Sequence, residues 1–248
     1  MKRYQLELLV CLVMTCFWLP GASQATEGET SFAVVFEPRT HAVLSSRVDG
    51  VVSRVCREMG QGFSKGNVLL RLDPAIFDLR LESTRAKAEA SRQQLSVVES
   101  LHRDQSASTL DLANAVRDAA IAAGDLKLAQ LERGFCTLSA PYNGRVKQVF
   151  IQAQEWVQRG TALMEIVDDR VLMAKVLVPS HLFRGVRMDG EVSIEVNETR
   201  SWVRGKISHI SPALDAASRT FEVFARVDNK NRQLRSGMTG QLQFKGIQ

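Results

Sequence analysis

The hexapeptide Gly50-Val51-Val52-Ser53-Arg54-Val55 returns 94 residues later as Gly144-Arg145-Val146-Lys147-Gln148-Val149. The offset holds without a gap into Phe63-Ser64-Lys65-Gly66-Asn67-Val68-Leu69-Leu70-Arg71-Leu72 and Val157-Gln158-Arg159-Gly160-Thr161-Ala162-Leu163-Met164-Glu165-Ile166. Each copy reads as a strand, a loop, an apolar-x-x-Gly turn and a second short strand, because apolar positions alternate and glycines punctuate them. Gly50, Gly66, Gly144 and Gly160 are the turn glycines of the two halves, with Gly66 and Gly160 supplying the positive φ of tight turns. A half of about 30 residues cannot bury a core alone. Two halves packed face to face can share one, which predicts a small β-domain assembled from distant segments. Two copies are too few for a solenoid.

The segment between the halves has another character. Between Pro74 and Gly134 it holds one glycine, Gly124, no further proline, and many Ala, Leu, Gln, Glu, Lys and Arg, all strong helix formers. Asp73-Pro74 is a helix-start pair. Phe77, Leu81, Thr84, Ala88, Ser91, Leu95 and Val98 follow a 4-3 spacing, and after a polar break at His102 to Thr109 so do Leu112, Val116, Ala119, Ala123 and Leu126. The spacing predicts two antiparallel helices in a coiled-coil hairpin. Helices of about 27 residues make an arm of roughly 40 Å.

Beyond Asp169 the pattern returns to strands: Val171 to Val178, Gly190 to Val196, Trp202 to Ile210, Thr220 to Val227 and Thr239 to Phe244. Asp189-Gly190, Asp228-Asn229 and Ser236-Gly237 punctuate them, Leu182 to Val186 reads as a short helix, and the whole suggests a small β-barrel. At the other end, Lys2 and Arg3 precede an apolar run from Leu8 to Leu19, followed by Ala22-Ser23-Gln24-Ala25. That is a secretory signal, cleaved after residue 25 or kept as an anchor. Cys16 lacks the surroundings of a lipoprotein cysteine. Cys56 and Cys136 remain after cleavage; two small buried thiols are the preferred reading, a disulfide the other.

Composition narrows the function. Hydrophobic residues are 45% and charged residues 24%, which excludes wholesale disorder and a polytopic membrane protein. The 32 basic and 27 acidic residues are interspersed without a basic block, so nucleic-acid binding is not expected. The histidines at 41, 102, 181 and 209 show no ligand pairing, so no metal site is expected. No nucleophile elbow, phosphate loop or His-Glu-x-x-His occurs. Asp168-Asp169 reads as a solvated turn at a strand end rather than a catalytic pair. An enzyme is not expected.

Several stretches together carry a family resemblance. They are Ala42 to Gly50 (AVLSSRVDG), Leu138-Ser139-Ala140-Pro141-Tyr142-Asn143-Gly144, Ile210-Ser211-Pro212-Ala213-Leu214-Asp215, Ser218-Arg219-Thr220-Phe221 and Leu234-Arg235-Ser236-Gly237-Met238. Over roughly residues 32–245 the chain resembles the membrane-fusion-protein (HlyD-like) family, periplasmic adaptor subunits of tripartite efflux pumps. The resemblance implies a mainly β fold with an inserted α-helical coiled-coil hairpin: a lipoyl-like split β-domain plus a small β-barrel. The segments would be a signal peptide at 1–25, a first lipoyl-like half at 32–73, the hairpin at 74–134, the second half at 135–168 and the barrel at 169–248. The membrane-proximal domain of longer relatives is expected to be missing, making this a short form.

The resemblance further implies an inner-membrane transporter and a TolC-like outer-membrane channel as partners, with six adaptors in a ring. The transporter would be of the resistance-nodulation-division (RND) type rather than ATP-driven (ABC), on the Ser-Pro-x-x-Asp…Ser-Arg-Thr-Phe stretch. The protein would sit in the periplasm against the inner membrane. Arg103, Ser106, Leu110 and Asp111 are the implied channel contacts at the hairpin tip, although the approach Leu101 to Gln105 is about two residues shorter than the family's and lacks its Gly and Ile. Asp215, Arg219 and Thr220 form the barrel motif, barrel-turn structure first and transporter contact second. The place of a carrier domain's modified lysine is taken by the hairpin, so no lipoyl or biotinyl cofactor is expected. A carrier module, which a mass shift on the intact protein would reveal, and a free-standing periplasmic binding protein or metal chaperone, which retained metal would reveal, are the competing readings.

Overall fold

The computed structural model describes residues 31–244; the stretch read as a signal sequence lies outside the described residues. In chain order the elements are β1 (Ser31–Ser45), β2 (Gly50–Val55), β3 (Gly62–Phe63), β4 (Val68–Leu72), α1 (Ala75–Arg103), α2 (Thr109–Phe135), β5 (Thr137–Ser139) and β6 (Gly144–Val149). They continue with β7 (Trp156–Val157), β8 (Ala162–Pro179), β9 (Glu191–Val196), β10 (Ser201–Asp215), β11 (Thr220–Asp228) and β12 (Thr239–Phe244). The fold class is the one the sequence predicts, mainly β with an inserted helical hairpin.

The two halves of the split domain interlock through reciprocal hydrogen bonds. The Gly60 amide donates to the Val146 carbonyl (2.8 Å) and the Gln154 amide to the Val52 carbonyl (2.7 Å). Val146 in turn donates to Gln61 (3.0 Å) and Val52 to Glu155 (2.8 Å). Gly66 donates to Ala140 and Gly160 to Ser46, both at 2.8 Å. Side chains repeat the exchange: Asn143 Oδ1 accepts from the Lys65 amide (2.7 Å) and Asp49 Oδ1 from the Arg159 amide (2.6 Å). Every member of these pairs differs by the same 94-residue offset, so the halves are related by an approximate two-fold. Neither half can satisfy its own backbone without the other. Between them lies one core, in which Val52, Leu69, Leu70, Leu163, Met164 and Ile166 are fully buried.

The repeat glycines divide into two kinds. Gly66 and Gly160 sit in left-handed turns at φ +84° and +91°. Gly50 and Gly144 instead open the strands β2 and β6. Gly144 is needed for space: a Cβ there would lie 2.3 Å from the Val167 carbonyl oxygen, whereas at Gly50 it would meet nothing within 4 Å. The asymmetry follows from the insertion, because β8 runs on past Ile166 while the equivalent chain leaves the sheet at Asp73-Pro74 for the hairpin.

The barrel is closed and six-stranded, in the order β1-β12-β9-β10-β11-β8 with β8 pairing back onto β1. Its interior is filled by Phe36, Leu172, Ile194, Val223 and Leu242, all fully buried. Two of its strands are longer than the sequence suggested. The second strand of the repeat and the first strand of the barrel are one continuous β8 of 18 residues, and β1 accompanies it for most of its length. Asp168 and Asp169 therefore lie inside a strand rather than at a solvated strand end. The expected helix at Leu182 to Val186 is replaced by a 3-10 turn at Ser180–Leu182.

This asymmetry makes a direct test available. Gly144→Ala is expected to cost about 3 kcal/mol or more, since backbone rather than a flexible side chain blocks the methyl group. Gly50→Ala is expected to stay within about 0.5 kcal/mol. Urea unfolding of the two variants separates them; equal losses would show that β8 does not crowd Gly144.

Candidate interaction surfaces

The hairpin grows from the β5-β4-β2-β7 sheet of the split domain, whereas the barrel continues the sheet containing β1 and β8. At its base Asp73 Oδ1 accepts from the Ala75 amide (3.0 Å), starting α1. Two ion pairs, Arg133–Asp78 (2.8 Å) and Arg80–Glu132 (3.1 Å), tie the helices together where they leave the sheet. Both are half-exposed and contribute little energy individually, but they fix the rotation of one helix on the other. On α1 the seam is the predicted one, ending in buried Val98. On α2 it runs through Leu112, Ala115, Ala119, Ala122, Leu126 and Ala129, not through Val116 and Ala123. Val116 is 48% exposed. Close approach to α1 favours Ala115 over the larger Val116, the turn that carries Ala122 rather than Ala123 follows in register, and helical periodicity alone does not distinguish neighbours.

The tip is held by its own polar groups. Ser108 caps α2: its Oγ accepts from the Asp111 amide (3.1 Å), and Asp111 Oδ2 accepts from the Ser108 amide (3.0 Å). The Ser108 hydroxyl also donates to that carboxylate at 2.6 Å. These bonds hold the Asp111 carboxyl below its ordinary pKa. The Ser106 hydroxyl donates to the Asp104 carbonyl (3.3 Å), and its amide donates to Leu101 (2.7 Å). His102 Nδ1 bonds the Ala107 carbonyl at 2.9 Å, a tie the sequence did not reveal. Asp111 and Ser106 are thus engaged in shaping the tip. Leu110, 69% exposed, and the Arg103 guanidinium, whose Nε donates to Glu99 (3.3 Å), are the outward groups.

In the barrel motif, Asp215 Oδ1 accepts from the amides of Ala217 (2.8 Å) and Ser218 (3.1 Å), which lowers its pKa. Ser218 and Thr220 share a hydroxyl hydrogen bond of 2.8 Å, and Arg219 sits at φ +54° with its carbonyl accepting from the Ser180 amide (2.9 Å). The motif closes a turn and leaves the Arg219 side chain exposed.

Where barrel and split domain meet, Arg170 donates to both carboxylate oxygens of Asp168 (2.9 and 2.7 Å), the main reason that its pKa is lowered. Asp169 faces Arg145 of β6 at 3.4 Å and Arg232 of the β11–β12 loop at 3.8 Å. The carboxylates that resemble a turn in the sequence are a clasp across the junction. Asn229, buried, donates to the carbonyls of Asp169 and Leu234, each at 2.8 Å, and locks the same corner.

Among the described residues no three His, Cys, Asp or Glu side chains are placed to hold a metal. Cys56 and Cys136 are both free thiols, and burial pushes that of Cys136 up. A groove of about 730 Å³ between the ends of β2 and β6 is lined by Val55, Met59, Val149 and Ile151 beside Arg54 and Lys147. It contains no nucleophile paired with a base.

Two substitutions test the seam and the cap. Ala115→Leu is expected to lower stability by about 1–3 kcal/mol through overpacking, while Ala123→Leu leaves the thermal transition unchanged. Ser108→Ala is expected to cost about 1 kcal/mol by removing the cap, read as faster amide exchange in the first turn of α2.

Comparison with known proteins agrees with this geometry. Residues 174–248 match the family of the CusB-like, beta-barrel domain. An uncharacterized protein of Haemophilus influenzae is 29% identical over 216 residues, covering 84% of this chain and 55% of that protein. The multidrug resistance protein MdtA of Xenorhabdus bovienii is 24% identical over 225 residues, covering 82% of this chain and 54% of MdtA. The chain thus spans about half the length of these curated relatives. A MacA–MexA chimera carrying the Pseudomonas aeruginosa MexA α-hairpin domain shares the fold, with a TM-score of 0.79 at 18% identity over 88% of this chain and 79% of the chimera. Residues 174–248 are accordingly similar to a CusB-like β-barrel domain, and the chain that carries them beside a split β-domain and a helical hairpin shares the fold of the MacA–MexA chimera.

Proposed function

We propose that the chain is a periplasmic adaptor that links an inner-membrane efflux transporter to an outer-membrane channel of the TolC type for export of small molecules. The observation that carries this reading is the frame itself. A hairpin of two helices, 29 and 27 residues long, and a closed barrel are joined through one sandwich, with exposed contact groups on both attachments. An RND-type transporter is supported over an ATP-driven one by the family that residues 174–248 match, whose barrel is the RND form.

The work of such a protein is contact and sealing. Leu110 and Arg103 at the tip meet helices of the channel, as an amphipathic helix meets a groove. Six copies closing into a ring would surround the export path, each using the same pair of surfaces. No bond is made or broken, so the polar network at the tip serves shape. None of the helices among the described residues is long and apolar enough to cross a membrane.

The test is affinity purification of the tagged protein from cross-linked Gram-negative cells, with partners identified by mass spectrometry. A transporter and a channel recovered together support the reading; soluble partners alone would overturn it. Ala113→Pro, which removes a backbone bond within α2 at about 3 kcal/mol, is expected to lose the channel and export while the barrel still folds.

A further inference from the structure

Antiparallel pairing brings the start of β1, the end of β12, the β8–β9 loop and the β10–β11 turn to one mouth of the barrel. Three large apolar side chains stand out from this mouth: Phe183 at 56%, Met188 at 54% and Leu214 at 50% exposure. Two are set on the same buried ring. Phe183 packs edge-on against Phe221 with centroids 5.3 Å apart, and Leu214 is the cross-strand partner of Phe221. Arg184, Arg187 and Arg219 are exposed between and beside them, and none of the three guanidinium groups has an ion-pair partner among the described residues. Of the nearby acids, Asp215 is turned onto the Ala217 and Ser218 amides, and Asp189 is the other acid in these loops.

We infer that this mouth rests on the lipid surface of an anionic bilayer, with Phe183, Met188 and Leu214 entering the headgroup boundary and Arg184, Arg187 and Arg219 meeting phosphates. Apolar tips interleaved with guanidiniums match a surface that is apolar beneath and anionic above. The chain ahead of the barrel points the same way. Ser31 opens β1 at this mouth, and 11 residues separate it from Leu19, the end of the apolar run. Fully extended, they span at most about 40 Å, so a membrane-held run keeps the mouth within that reach of the bilayer. The inference deepens the adaptor reading and rests on it for the choice of the inner membrane; the chemistry of the mouth stands by itself.

The test is hydrogen–deuterium exchange of the full chain, without any transporter, against vesicles of phosphatidylglycerol and phosphatidylethanolamine and against phosphatidylcholine vesicles. Amides of residues 180–190 and 214–219 are expected to slow about fivefold or more on the anionic vesicles only, with the effect reduced at about 0.5 M salt. The hairpin tip should not change. Phe183→Ser with Leu214→Ser, and separately the three arginines changed to Ser, should abolish the protection; the first pair also lowers the thermal transition because both side chains pack on Phe221, whereas the arginine triple leaves it in place. Mouth amides that exchange freely while the chain sediments with vesicles would overturn the inference, as would protection that requires a transporter. Either result leaves the captured partners, and so the adaptor reading, untouched.

Discussion

Everything in this molecule hangs on the ladder between β1 and β8. It pairs Val34 with Val176 at one end and Ser45 with Ala162 at the other, with a register shift between Pro38 and Thr40. On one side of that shift the two strands wall the barrel; on the other they form half of the split domain. A slip of one residue would exchange Val34 and Phe36 for Val35 and Glu37 inside the barrel. The bulge falls where Pro38 cannot donate to the ladder, and beside it Asp168, Asp169, Arg145, Arg170 and Arg232 take up the charge that the corner exposes. Two cores are thus connected by a continuous pair of strands rather than by a linker, which is what allows a contact made at one end to constrain the other.

Much of this was legible because repetition is a strong signal. The offset of 94 residues is visible in side chains, and the hydrogen bonds obey it even where residues differ. Gly60 and Gln154 both adopt positive φ, +82° and +69°, though only one is glycine. The hairpin was legible from composition and period. What was not legible depended on partners distant in sequence. Asp168-Asp169 looks like a turn until Arg145 and Arg232 are placed beside it. Ala115 looks less suitable for a seam than Val116 until the closeness of α1 is known. Asp111 at the tip looks like a contact residue, yet its carboxylate is directed at Ser108. Polar residues near a loop serve the backbone as readily as a partner, and sequence does not separate the two uses.

A division of labour results among the charged side chains, which are 24% of the sequence, an ordinary share. Ion pairs hold elements in register at the hairpin base (Arg133–Asp78, Arg80–Glu132), at the junction (Arg145–Asp169) and along the barrel wall, where Lys175 of β8 meets Glu222 of β11. The groups left for partners are few, Leu110 and Arg103 at the tip and, at the mouth, Phe183, Met188 and Leu214 beside Arg184, Arg187 and Arg219. This suits the adaptor role proposed for the chain, in which other surfaces hold it at two places without rearranging its own bonds.

The insertion of the hairpin between the repeat halves also shapes how the chain reaches its fold. Closing a flexible loop of about 60 residues between β4 and β5 would carry an entropy cost that grows with the logarithm of its length. A helical hairpin forms from local contacts in microseconds, well before distant strands pair. Once zipped, it delivers Leu72 and Thr137 to each other as neighbours, and the effective loop shrinks to a few residues, saving about 3 kcal/mol of closure entropy. The arm is therefore a splint during folding: the element that interrupts the sandwich in sequence is also the one that speeds its assembly.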